Sequence, residues 1–154
     1  MIKGIEYDLS ETDLAYMAGL LDGEGSYIVA KHFNKPKHCG RRGFVWELRI
    51  TIGMTELGGL NFMKDKLRKK RLRLASKDNR GVRRKIYYLT FYSNEIRSFL
   101  PRMLPYIHTK KKQATLLLNA VNTIVPKTGR KIDRKLQLMY IKMKKLNKSR
   151  YPIR

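Results

Sequence analysis

The stretch LAYMAGLLDGEG, residues 14–25, decides the fold. Ser10 followed three residues later by Asp13 resembles a capping box, which sets a helix start just before the stretch. Apolar residues then recur at helical spacing within it. The glycines and acids at its end predict that the helix stops there, and the residues from Ser26 onward favour a strand. The sequence therefore predicts a helix that leads straight into a strand.

One face of this predicted helix is nearly bare of side chains. Ala15, Ala18, Gly19 and Asp22 fall at i, i+3, i+4 and i+7, which places them on the same face. Small residues allow the backbones of two helices to approach closely. This face is therefore a candidate contact for another helix.

Two acids, Asp22 and Glu24, follow at the carboxyl end of the helix, where the helix dipole is unfavourable for negative charge. The chain has only 12 acidic residues, so their placement needs a cause. A hard divalent cation would provide one, because it prefers carboxylate and carbonyl oxygens. The alternative is that Asp22 hydrogen-bonds the following turn and Glu24 is solvated.

The remaining patterns predict an α+β fold with one antiparallel sheet. The expected order is helix, two strands, helix, two strands and further helices. The strands are expected at residues 26–33, 44–53, 71–77 and 82–92, and the later helices at 57–67, 94–100, 109–124 and 130–147. No repeat divides the chain, so a single domain is expected over residues 1–147, with a basic tail at 148–154.

The segment 44–53 shows the clearest strand pattern. Its apolar residues alternate with Glu47, Arg49 and Thr51, so one face of the sheet is expected against helices and the other is polar and cationic. Such a face can lie in a groove of nucleic acid. It can also be an ordinary solvated face, which is the usual meaning of alternation.

Charge and cysteine content narrow the class of protein. The 35 Lys and Arg against 12 Asp and Glu give a net charge of +23, which favours a polyanionic partner, nucleic acid before an anionic membrane. A basic ribosomal-type protein would share this charge. The single cysteine, Cys39, excludes an intramolecular disulfide and favours an intracellular, reducing compartment such as a prokaryotic cytoplasm or nucleoid, or an organelle. No signal peptide or membrane span is predicted.

Two segments resemble a known family. The stretch MAGLLDGEG, residues 17–25, is similar to the motif of the LAGLIDADG homing endonucleases, and LPYIHTKKKQATLLL, residues 104–118, resembles the segment of single-motif members that holds an active-site lysine. The order of elements from Ser10 to about Val125 also fits. The resemblance therefore covers most of the chain and implies an αββαββα fold, with a saddle-shaped DNA-binding sheet and extra carboxyl-terminal helices.

The resemblance also implies the site residues. Glu24 corresponds to the acid that binds catalytic metal, and Gly23 contributes its backbone carbonyl. Asp22 has a structural role at the helix end, and Lys110 is the active-site lysine. A polar residue that orders water follows the second strand. By spacing it falls on Glu56 or, as the alternative, on Thr55.

The activity implied is hydrolysis of both strands of a long pseudo-palindromic DNA site, with Mg²⁺ as the metal and Mn²⁺ as a substitute, in the service of intron homing. A single motif provides one carboxylate site per chain, so a homodimer is expected, with the bare face of Ala15, Ala18, Gly19 and Asp22 at its interface. The alternative within the same fold is an RNA-binding intron maturase or a DNA-binding regulator that does not cut.

The polar strand faces are expected to contact DNA. The candidates come from both pairs of strands and from the loop after the first strand, and for the strand 82–92 the sequence does not decide which face meets DNA. They are Ile28, Ala30, His32, Asn34, Lys35, Lys37, Glu47, Arg49, Thr51, Arg73, Arg83 and Lys85.

Overall fold

A computed structural model describes residues 6–33, 43–69, 72–79, 82–124 and 130–148, and it confirms the predicted α+β fold. Six elements form the predicted αββαββ core and three helices follow or complete it. In chain order the elements are α1 (Glu11–Glu24), β1 (Gly25–Phe33), β2 (Phe44–Met54), α2 (Leu57–Lys66), β3 (Arg73–Asn79), β4 (Val82–Tyr92), α3 (Ser93–Met103), a 3₁₀ turn (Leu104–Tyr106), α4 (Lys111–Thr123) and α5 (Arg130–Lys148).

The four strands form one antiparallel sheet in the order β1-β2-β4-β3. The pairings Tyr27↔Ile50 and Ile50↔Phe91 join the three strands β1, β2 and β4 across the core face. Ile50 and Phe91 are fully buried and Tyr27 nearly so, whereas the neighbouring pair Thr51↔Thr90 is only partly buried. The predicted division into an apolar and a polar face is therefore confirmed.

The first helix begins where the sequence predicts. The Asp13 backbone N–H donates to the Ser10 hydroxyl oxygen at 3.2 Å, and the Ser10 backbone N–H donates to the Asp13 carboxylate at 3.1 Å. This reciprocal pair satisfies two of the amide donors that a helix start leaves unbonded. The inward side of α1 carries Leu14, Met17 and Leu21, which are buried against the sheet and the other helices.

The last helix, α5, packs against α4 and β1. Its apolar side buries Leu136 and Met143. The Trp46 ring N–H on β2 donates to the Asp133 carboxylate at 3.2 Å near the start of α5, and the Asn147 amide donates to the Tyr27 backbone carbonyl at 3.2 Å near its end. Both ends of α5 are therefore fixed to the first two strands.

The hairpin of β3 and β4 is longer than predicted. Asn79 pairs with Val82, so the ladder includes Asp78 and Asn79, which the sequence assigned to the turn. Their polarity suited a turn, but the end of a two-stranded ribbon is open to solvent and accepts polar residues equally well.

Among the described helices, none is both long and apolar enough to cross a bilayer. Residues 149–154 of the expected tail lie outside the described ranges.

Replacing Ile50 by alanine should lower the free energy of unfolding by about 2–5 kcal/mol, because Ile50 is fully buried in the central part of the sheet and the change leaves a cavity. Urea unfolding followed by circular dichroism measures this. Ile141→Ala is the matched control, since Ile141 is 42% exposed on α5 and should cost less than about 1 kcal/mol. Equal losses for the two variants would contradict the assignment of the core.

Candidate active site

The helix α1 passes into β1 without a loop. Gly25 lies at the junction, and a Cβ atom there would stand 2.5 Å from the Leu21 backbone carbonyl oxygen. The Gly25 backbone N–H donates to this same carbonyl and so closes the last turn of the helix. Only glycine permits so close an approach, so the chain can turn at once from helix to strand. Glu24 is thereby placed, exposed, at the end of the sheet.

The Asp22 carboxylate accepts three backbone hydrogen bonds from the segment that precedes α4. The donors are the N–H groups of His108 at 2.7 Å, Thr109 at 3.0 Å and Lys110 at 2.8 Å. Asp22 thus caps the start of α4 from a distant part of the chain, which explains an acid at the unfavourable end of α1. One alternative was that Asp22 hydrogen-bonds the turn that follows it. Asp22 does bond a turn, but this turn lies 86–88 residues further along the chain.

These contacts control the protonation of Asp22. Burial works to raise its pKa, whereas the hydrogen bonds from His108, Lys110 and Thr109 work to lower it. The net result is a pKa below the ordinary value of 3.8. Asp22 is therefore a carboxylate throughout the neutral range, and its negative charge strengthens the hydrogen bonds that it accepts within the chain.

Lys110 is buried, with 6% of its surface exposed. Its Nζ donates to the Gly23 backbone carbonyl at 2.8 Å and to the Gly25 backbone carbonyl at 2.7 Å. The ammonium group therefore lies directly under the junction that carries Glu24. The structure brings together three residues that the sequence assigned to one site, Glu24, Gly23 and Lys110.

Two clefts border Glu24. The larger, about 490 Å³, is lined by Glu24, Lys110, Gln113 and Asn147 together with the backbone around the junction. The smaller, about 240 Å³, is lined by Glu24 and the residues that follow β2, including both candidates for ordering water, Thr55 and Glu56. Glu56 is exposed at the amino-terminal cap of α2, where its side chain forms no cap hydrogen bond.

The donor atoms at the junction suit a hard divalent cation. Glu24 offers an exposed carboxylate, and the Gly23 carbonyl, although it accepts from Lys110, has a second lone pair. Within the part of the chain that the structure describes, no three acidic, histidine or cysteine side chains are grouped closely enough to hold a metal ion. The described part of one chain therefore offers only part of the set of oxygen ligands that a hard divalent cation takes.

The polar face of the sheet carries a connected network on β1 and β2. Glu47 accepts from Arg49 at 2.8 Å and is hydrogen-bonded to His32, and the Thr51 and Thr90 hydroxyls are 3.3 Å apart. Ile28 and Ala30 lie opposite Arg49 and Glu47 in the register. The predicted members of the face on these two strands therefore do lie together.

The hairpin of β3 and β4 corrects part of the prediction. Arg73 pairs with Tyr88, which has the parity of Thr90, so Arg73 belongs to the polar face. Lys85 has the parity of Leu89 and Phe91, which point into the core, so the alternation assigns it to the other face. The side chain of Arg83 lies outside the described part of the chain. The sequence could not choose between these faces because basic residues occupy both parities of this strand.

The sequence prediction also missed part of the polar face. The register adds Ser26 on β1 and Tyr88, Thr90 and Tyr92 on β4. Gly53 on β2 is small because the Tyr88 ring covers it, with ring carbon Cε1 2.5 Å from where a Cβ would be. The signal that could have identified these residues was their register with Thr51, which pairs with Ser26 on one side and Thr90 on the other. The predicted contacts Asn34, Lys35 and Lys37 lie outside the described residues.

The bare face of α1 is divided differently from the prediction. Ala15 and Gly19 are exposed, and no atom lies within 4 Å of a Cβ built on Gly19. Ala18 is fully buried within the chain, and the Asp22 carboxylate is bonded to the segment before α4. The inward arc of the helix is wide enough to include Ala18 beside Met17 and Leu21. Ala18 is therefore removed from the predicted contact face, whereas Asp22 stays partly exposed there.

The fold and the junction define a class: an α+β protein whose first helix ends in two acids and enters an antiparallel sheet with one polar face. Solved structures of this class include the homing endonuclease I-CvuI in complex with DNA, at 18% identity and a TM-score of 0.69 over 88% of this chain and 82% of that one. The archaeal intron-encoded homing endonuclease I-Vdi141I, also complexed with DNA, gives 19% identity and a TM-score of 0.68, over 88% and 84% of the two chains.

The meganuclease I-SmaMI, bound to DNA, gives 18% identity and a TM-score of 0.66, over 94% of this chain and 49% of that one. No protein-family model matches the chain, and no curated protein does. The chain therefore has the fold of the LAGLIDADG homing endonucleases, as its motif predicted.

Asp22→Asn should lower the free energy of unfolding by about 1–2 kcal/mol at pH 7, because the amide replaces a charged acceptor and turns an N–H group toward other N–H donors. The folded-state pKa of Asp22 is lowered, so its contribution is complete above the ordinary value of 3.8 and disappears as the pH falls below it. Urea unfolding at pH 7 and at decreasing pH measures both effects.

Asp65→Asn is the control, since the Asp65 side chain is 71% exposed and forms only a surface ion pair with Lys64. It should change stability by less than about 0.5 kcal/mol. If the difference between Asp22→Asn and the natural chain stayed constant down to the lowest pH, the carboxylate would not be the source of the stability.

Proposed function

We propose that the chain is a site-specific endonuclease that hydrolyses both strands of a long DNA duplex, as in intron homing. The observation that carries the proposal is the junction of α1 and β1, where Glu24 lies exposed above the buried ammonium group of Lys110 and beside the polar face of the sheet. Homing endonucleases of this fold have been solved in complex with DNA. A net charge of +23 suits the same partner.

The chemistry proposed is metal-dependent hydrolysis of a phosphodiester. Glu24 and the Gly23 carbonyl would hold Mg²⁺, with Mn²⁺ as a substitute, and the ion when bound polarises the phosphate and activates water. Lys110 holds a positive charge next to the two carbonyls of the junction. That charge favours negative charge developing on a phosphate in the cleft. Glu56 or Thr55, across the smaller cleft, would order water.

Specific contacts are proposed for the polar face of β1 and β2. The pair Arg49 and Glu47 lies near the middle of this face, and Arg49 is held by Glu47 before any partner arrives. A side chain that is already oriented loses less entropy when it forms a bidentate hydrogen bond with a base. Ile28, Ala30, His32 and Thr51 surround the pair, and Arg73 extends the face toward the hairpin.

A homodimer is proposed through the exposed face of α1. One chain offers one Glu24, and cutting two strands needs two such sites. Ala15, Gly19 and Gly23 are exposed along α1, and a second helix can approach closely over residues so small. Packing two copies of α1 would bring both junctions near the two-fold axis and supply the further carboxylate that the metal site needs.

Glu24→Gln should slow cleavage by at least about a hundredfold, because the neutral amide is a poor ligand for a divalent cation. The assay incubates the protein and Mg²⁺ with a randomised duplex library and sequences the new ends, then measures single-turnover rates on the selected site. EDTA should stop the reaction. Binding to the selected site without metal should change little, since Glu24 is assigned no base contact.

The control is Glu11→Gln, which removes an exposed acid from the other end of the same helix and should leave the rate unchanged. If Glu24→Gln cut as fast as the natural chain, the metal site would be wrongly assigned. If the natural chain bound RNA and cut no duplex under any divalent metal, the maturase alternative would replace the nuclease.

Gly19→Leu should convert the dimer to a monomer without unfolding it. The leucine Cβ meets open space within one chain, and leucine favours a helix over glycine, so the fold itself should be unchanged or slightly more stable. Between two chains, the same side chain would force the helices apart. Light scattering at micromolar concentration gives the mass, and thermal unfolding gives the stability.

Asn122→Leu is the control, because it adds a leucine to an exposed position of α4, away from the α1 face. It should remain dimeric. A natural chain that has the mass of one protomer, or a Gly19→Leu variant that still dimerises, would rule out this interface.

A further inference from the structure

Gln113 is the feature of the larger cleft that the proposed function leaves unused. It lies on α4 three residues after Lys110, so the two side chains share one face of the helix turn. Its side chain lines the same cleft as Glu24 and Lys110. Among the residues that the structure describes, Lys110 and Gln113 are the buried polar or charged ones, with 6% and 5% exposed.

The two differ in their partners. The Lys110 ammonium donates to the carbonyls of Gly23 and Gly25, whereas the Gln113 amide forms no hydrogen bond with any other described residue. Gln113 lines the cleft, and its amide atoms are not among the described polar atoms that are both buried and without a partner. The amide is therefore suited to bond a group that enters the cleft.

The chemistry of the cleft limits what that group can be. Its wall provides the Lys110 charge and the backbone of the junction, and the Asn147 amide, bonded to the Tyr27 carbonyl, closes the side formed by α5. An anion with oxygen acceptors suits these neighbours. A glutamine side chain offers two N–H donors without a charge, so it can bond a phosphate oxygen and leave the charge balance set by Lys110 and Glu24 unchanged.

We propose that Gln113 is a further catalytic residue, whose side-chain amide donates a hydrogen bond to a non-bridging oxygen of the DNA phosphodiester held in this cleft. The inference deepens the proposed function and rests on it. The bond would strengthen as charge accumulates on the phosphate oxygens, so Gln113 acts more on the rate of cutting than on binding.

The test is Gln113→Met, which keeps the size of the side chain and removes the amide. Three measurements are made: thermal unfolding without DNA, affinity for the selected duplex in EDTA, and single-turnover cleavage in Mg²⁺. We expect an unchanged or higher unfolding temperature, because no bond within the described chain is lost. We expect a several-fold weaker affinity, and cleavage slower by on the order of a hundredfold. Gln137→Met, on the partly buried part of α5, is the matched control and should change neither binding nor cleavage.

Each other outcome decides the question. If Gln113→Met binds and cuts like the natural chain, or if its unfolding temperature falls by several degrees, Gln113 is an ordinary structural residue and the inference is overturned. If the natural chain binds duplex but cuts none, the proposed nuclease fails separately, and the affinity in EDTA still decides. A several-fold loss of duplex affinity in Gln113→Met, but not in Gln137→Met, would support the phosphate contact. An unchanged affinity would contradict it.

Discussion

The hydrogen bonds between the Asp22 carboxylate and the three backbone N–H groups before α4 are the interaction on which the rest of the site depends. They join the end of the first helix to the start of the fourth, 88 residues later, and so bring Lys110 under the junction. With Lys110 in place, its ammonium group holds the two carbonyls on either side of Glu24. The exposed Glu24 is thus held in place by two sets of hydrogen bonds within the chain, those of Asp22 and those of Lys110.

Most of the fold could be predicted because local patterns agree with it. The capping box at Ser10 and the helical spacing both specify α1, the alternation specifies β2, and the structure keeps both elements. The placement of Lys110 beside the junction that carries Glu24 was available only through resemblance to a family, since no local pattern connects residues so far apart. The role of Asp22 as a cap for a remote helix was likewise invisible in the spacing.

Two errors share a physical cause. Ala18 was assigned to the contact face of α1, and Lys85 was named a DNA contact without a choice between the faces of β4, and in each case the residue type fits both environments. Alanine is small enough for a core or an interface, and a basic residue near the end of a ribbon reaches solvent from either side. Gln113 was passed over for the opposite reason, because a polar residue on a helix is usually solvated, and only tertiary packing shows that it is buried.

The direct passage from α1 to β1 at Gly25 has a consequence for how such a gene can change over time. Substitutions on the polar face can alter its chemistry at little cost to the fold, because that face makes little contribution to the core. A change of length is different. One residue gained or lost between Asp22 and Ser26 would reverse the alternation of β1, sending Tyr27 and Val29 to the solvent and Ile28 and Ala30 inward. Lineages of this protein should therefore vary the polar face by point substitution while tolerating no insertion or deletion at the junction.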